Sequence, residues 1–210
     1  MTDFSKFKAP FLTIEKIREE ADLFYSTYGK GAVPVDIEGI IEFDLNIELQ
    51  TKQNLFSLCK ADAFLSSNCK KIYVDNEHFT KPKNLPYVRF SLAHEIGHLI
   101  LHKTLIPVIV PTNVEEWKNI VNSFPEREYN FIELHANEFA GRLLVPRDAL
   151  INELKSNREE IKKIYEVYPK IADDIVIDQV AVPICKTFQV SDDVIARRIK
   201  FEEIWHFWKE

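Results

Sequence analysis

Residues 85–102, LPYVRFSLAHEIGHLILH, constrain the fold of this 210-residue chain more than any other stretch. Their spacing predicts one long helix, with Leu92, Ile96, Leu99 and Ile100 on one side and Ser91, His94, His98 and His102 on the other. An apolar stripe of that length has to be covered by other elements. The chain is long enough to build one sizeable core, or one core with a small appendage.

The flanking patterns supply the cover. Residues 12–28 carry apolar side chains at helical spacing, with Thr13 as a cap and Gly29 and Gly31 as the stop. VPVDIEGIIEFDLN reads as a short second helix, with Pro34 near its entrance and Asp36 as its cap. Over residues 46–76 the pattern changes to short β-branched and aromatic runs broken by KQN and SSN, which predicts three strands joined by tight turns. Helical spacing then returns. NVEEWKNIVNSF predicts a short helix within a connection, FIELHANEFAGRLL a longer one ended by Val145-Pro146, and the charged remainder carries no strand signal. Helices, a small sheet, then helices make the fold class α+β.

Bulk properties remove several functions. A net charge of −6 gives no general attraction for phosphates, so direct nucleic-acid binding is not expected. The helix predicted within FQVSDDVIARRIKFEEIW opens with Asp192 and Asp193, which would repel a DNA backbone, so it reads as a packing or protein-binding helix. The longest apolar run, LIPVIVP, is far too short for a bilayer, and MTDFSKFKAPFLTIEK lacks the apolar stretch of a leader. Cys59, Cys69 and Cys185 form no CxxC pair and read as reduced thiols. The expectation is a cytoplasmic protein without membrane contact; its oligomeric state is not readable.

The polar side of the long helix carries the chemistry. His94 and His98 stand about 6 Å apart along a helix axis and ~40° around it, so both imidazoles can meet one ion. Glu95 is turned by ~100°, which sets it beside such an ion, where it can take a proton from water. A solvated histidine stripe has the same pattern. His102 lies about 12 Å from His94 along the axis, too far to bind the same ion, and reads as a structural or helix-end residue.

A third ligand has to come from elsewhere. Glu138 precedes Arg142 by four residues, and a surface ion pair explains it. Glu133 shares a helix face with Asn137 and Ala140, so it is the better candidate for the metal; an ordinary solvated carboxylate is its other reading. The Asn137 amide oxygen can accept the second ring N–H of a ligating histidine. His135 and Tyr129 both lie near enough in sequence to stabilise an oxyanion, and the spacing selects neither. His78 remains open as a distant ligand.

Taken in order, VPVDIEGIIEFDLNIEL, KKIYVDN, RFSLAHEIGHLILH, ELHANEFAGRLLVP and FQVSDDVIARRI resemble the ImmA/IrrE family of zinc metallopeptidases over about residues 30–200. HEIGH alone is shared by many zincins; its pairing with ExxANxFAxxLLxP is more specific. The resemblance implies Zn2+ held by His94, His98 and Glu133, Glu95 as general base and Asn137 behind a ligating histidine. It also implies a zincin-like core over residues 1–150, its small sheet beside the HExxH helix, and a helical extension packing on it over 151–210. The function implied is an endopeptidase acting on a protein, such as a helix-turn-helix repressor, in an anti-repressor role. The alternative is a binding protein that sequesters a repressor or a toxin–antitoxin-type partner without cutting it. Val145 and Gly141 stand where the family commonly has methionine and alanine.

Overall fold

The first helix starts at its predicted cap. Thr13 Oγ1 accepts from the Lys16 amide at 3.2 Å, and α1 runs Ile14–Phe24 before a π-helical turn at Tyr25–Gly29. Asp36 likewise accepts from Gly39 N at 3.1 Å and opens α2 (Ile37–Gly39), which continues as a π-helical turn through Asp44. The computed structural model describes residues 7–59, 61–106 and 125–210; the helix expected within 113–124 lies outside them.

Three strands follow: β1 (Glu48–Lys52), β2 (Ala63–Leu65) and β3 (Lys71–Asp75). Their order is β1-β3-β2, with β3 parallel to β1 and antiparallel to β2. Leu49 stands opposite Ile72 in one pair, and Leu65 opposite Ile72 in the other. The strands are not all joined by tight turns, because residues Leu55–Cys59 form a short helix, α3, between β1 and β2. The reason lies outside that segment. The buried Asp75 carboxylate, at the end of β3, accepts from Phe56 N and from His78 N at 2.9 Å each. It thereby supports the first turns of both α3 and α4 (Asn76–Thr80). Leu55 is fully buried and packs with Phe64 under the sheet.

The longer elements that follow among the described residues are helices: α5 (Leu85–Leu101), α6 (Glu126–Leu144), α7 (Arg147–Ser156), α8 (Arg158–Val167), α9 (Asp173–Phe188) and α10 (Asp192–Phe201). The fold is α+β. α5 packs chiefly on α6 and also covers β2, whose three residues are all buried, whereas β1 is largely open to solvent. One apolar cluster extends from Ile17 and Phe24 through Ile72, Leu92 and Phe139 to Ile199 and Trp208. α10 turns Ile195, Ala196, Arg198 and Ile199 inward.

Two polar fixtures hold α5 and α6 in this core. Buried Arg89, at the start of α5, donates to Val35 O at 2.7 Å and to Gln189 O at 3.2 Å, tying α5 to the entrance of α2 and the end of α9. Arg142 of α6 grips both Asp22 oxygens at 2.6 Å and Glu202 Oε2 at 2.5 Å. Glu138 is bound by Arg18 at 2.6 Å and Arg198 at 3.4 Å, and Arg198 also pairs with Glu202. The expected Glu138–Arg142 surface pair is therefore not formed. Both side chains are taken by opposite charges on other elements, where partial burial strengthens each bond.

Candidate metal centre

α5 and α6 bring three potential ligands together. His94 Nε2 and His98 Nε2 lie 2.9 Å apart; Glu133 Oε2 is 3.3 Å from the first and Glu133 Oε1 3.5 Å from the second. Nitrogen or oxygen ligands at 2.0–2.1 Å from a tetrahedral ion stand about 3.3 Å from each other. The two His–Glu separations match that spacing, and the imidazoles need only part slightly. A divalent cation of this size fits the donor set. Burial alone would raise the Glu133 carboxyl, but the His94 and His98 rings beside it hold it well below the usual carboxylate range.

Glu95 is buried and turned out of this triangle. Its Oε2 accepts from the Leu65 amide of β2 at 2.7 Å. The ladder explains why that amide is available: Ser66 N bonds Lys71 O and Asp75 N bonds Asp62 O, so in an antiparallel pair the Leu65 N–H points away from β3. The small sheet therefore positions the carboxylate. Burial pushes the Glu95 carboxyl up, while His98, His94 and the Leu65 amide oppose that rise.

Each candidate histidine ligand is braced through its other nitrogen. His94 Nδ1 lies 2.9 Å from Asn137 Oδ1, the contact expected of that asparagine. His98 Nδ1 lies 3.1 Å from His102 Nδ1, and His102 Nε2 lies 3.3 Å from His135 Nδ1. His102 does cap the end of α5, yet it is 1% exposed, and burial followed by the neighbouring His98 and His135 pushes it down to about 3. It is neutral near pH 7.

This placement separates the two oxyanion candidates. His135 is turned to His102, behind the ligand rings, whereas the Tyr129 hydroxyl bonds Glu133 on the site itself. His78 is engaged with Asp62 and packs on the Phe56 ring, apart from the triangle. Sequence reasoning missed the Leu65 amide, which no side-chain pattern reveals. It also missed the His102–His135 contact, although two residues place Glu133 and His135 ~200° apart on a helix. That angle already said they serve different faces.

The model of the IrrE N-terminal-like domain family, peptidase M78, matches residues 83–200. This chain belongs to that family. The match runs from just before α5 into α10, so it contains His94, Glu95, His98, Glu133 and Asn137 and leaves the sheet outside. Membership of peptidase M78 gives a metallopeptidase-type function, in keeping with a His-His-Glu group able to hold a metal. No curated protein matches the chain. Among the described residues, no helix of this M78 protein is long and apolar enough to cross a membrane.

Proposed function

We propose that this chain is a zinc-dependent endopeptidase acting on a protein, with a helix-turn-helix repressor as the substrate class. The observation that carries the reading is the gathering of His94, His98 and Glu133 ligand atoms within 4.8 Å of one another, with the Glu95 carboxyl beside them. Bound there, zinc would polarise the scissile carbonyl and lower the pKa of water toward about 7. Two imidazoles and one carboxylate, with a position left open, suit that ion in a catalytic role.

The protein's own groups supply the proton traffic. Glu95 accepts a proton from the attacking water as the new C–O bond forms, then delivers it to the amine nitrogen as the C–N bond breaks. The Leu65 amide holds Oε2, which leaves Oε1 for that transfer. Of the two oxyanion candidates, Tyr129 is the one beside Glu133, and by turning its hydroxyl proton from that carboxylate it would donate to the carbonyl oxygen as negative charge develops. The repressor substrate rests on the resemblance to ImmA/IrrE proteins, several of which relieve repression.

Incubation of metal-quantified protein with the product of a neighbouring repressor-like gene, read by mass spectrometry, tests this. Cleavage at one bond is expected, abolished by chelation and lowered about 10²–10⁴-fold in Glu95→Gln with metal retained. Normal cleavage by that variant removes the mechanism. An intact partner that stays bound replaces proteolysis with sequestration.

A further inference from the structure

The bracing of the two histidines is asymmetric. Behind His94 stands an amide oxygen, which only accepts; behind His98 stands an imidazole, which can accept or donate. Taking Nε2 of His98 as a ligand atom, on which this inference rests, that nitrogen carries no proton, so the ring proton sits on Nδ1. Its partner at 3.1 Å, His102 Nδ1, must then be the acceptor.

His102 is 1% exposed, so water does not compete for either ring contact. With Nδ1 accepting, its one proton lies on Nε2 and points at His135 Nδ1, 3.3 Å away. His135 in turn keeps its proton on Nε2. Every proton in the row is thereby assigned by the first requirement: His98 donates to His102, and His102 to His135. α5 contributes the first ring, its capping residue the second and α6 the third, so the row also joins the two helices that carry the ligands. Reversing it puts a proton on His98 Nε2, between the other two ligand atoms.

We infer that His102 and His135 are positioning residues that lock His98 in its Nδ1–H, metal-accepting tautomer. His102 is more than filler at a helix end, and His135 is the acceptor that keeps His102 pointing the right way. Asn137 performs the same task for His94 with one group, because an amide oxygen has no tautomer to fix.

Glutamine and leucine at position 102 distinguish this from packing. His102→Gln offers an oxygen to His98 and an N–H to His135, whereas His102→Leu fills space and offers neither. Zinc affinity of the full chain is measured by competition with a chromophoric chelator, with circular dichroism as a check on folding. His102→Leu is expected to weaken zinc about 10- to 100-fold, and His102→Gln to stay near wild type. Long-range proton–nitrogen spectra of the zinc-loaded wild type should show His98 as Nδ1–H and His102 as Nε2–H, a result that needs no variant to fold. Equal affinity in wild type and both variants, equal loss in both, or His102 protonated on Nδ1 overturns the inference. A wild type that binds no more zinc than His94→Ala instead overturns the metal-site reading.

Discussion

Gly97 of α5 lies directly against Ala136 of α6: a Cβ on Gly97 would stand 3.1 Å from both the Cα and the carbonyl oxygen of Ala136. Both atoms belong to helix backbone and cannot rotate away. The close approach sets the distance between the helices, and hence between the His98 ring, one residue on, and Glu133, three residues back.

Gly97→Ala tests that spacing. Alanine gains about 1 kcal/mol in helix propensity, but the contact acts as overpacking, which costs about 1–3 kcal/mol. Backbone on the opposing side makes the cost prevail. Thermal unfolding should fall by a few degrees, since 1 kcal/mol corresponds to about 2–4 °C at this size, and zinc affinity should fall with it. An unchanged melting temperature and affinity would mean that the helices separate freely.

Zinc removal should destabilise the protein by mass action. At free zinc of 100 Kd the bound ion contributes about 2.7 kcal/mol, so chelation should lower the melting point by roughly 5–10 °C. Glu95→Gln should keep this shift, because Glu95 lies beside the ligands, and His98→Ala should lose it. Calorimetry with and without chelator reads all three. A zinc shift that survives in His98→Ala would move the metal elsewhere.

Arg142→Met removes a partner from Asp22 and from the nearly inaccessible Glu202. Breaking such a pair by removing one partner costs about 3–5 kcal/mol. Arg198 and Arg147 still face Glu202, which places the expected loss at the lower end. Adding Glu202→Gln should recover part of it. Urea unfolding of the single and double variants measures the coupling, and strictly additive losses would show that the two residues do not interact.

Asp75 supports two helix starts, so its charge links stability to pH. Burial would raise its carboxyl, but the Phe56 and His78 amides hold it below the usual value. A carboxyl lowered on folding stabilises fully above its unfolded pKa of about 3.9 and loses that contribution as pH falls through the folded value. Asp75→Asn should therefore destabilise at pH 6 and flatten the loss of stability as pH falls below about 4. The same acid slope in variant and wild type would assign that slope to other carboxylates.

The legible parts of this molecule were those whose cause is local. Thr13 and Asp36 cap helices within three residues of themselves, and both caps are seen in the spacing of the sequence. His94, His98, Glu133 and Asn137 were accessible because helical geometry fixes which side chains share a face. The illegible parts have distant causes. α3 was expected as strand, and what supports its first turn is a carboxylate 19 residues downstream. Glu138 and Arg142 have the right spacing for each other, yet Arg18, Arg198, Asp22 and Glu202 outcompete that pairing across tertiary contacts. Ile100, placed on the apolar side of α5, is 37% exposed, whereas His98 and His102 on the polar side are buried. A buried polar row inverts the rule by which a helix face is judged.

The Arg142 clamp also sets an order of events during synthesis. Its acids lie 120 residues upstream and 60 residues downstream. When α6 emerges from a ribosome, Asp22 already exists and Glu202 does not. At roughly 5–20 residues per second, the missing half arrives on the order of several seconds later. Until then Arg142 is paired on one side only. The clamp on the helix that bears Glu133 is thus complete only once Glu202 has been translated.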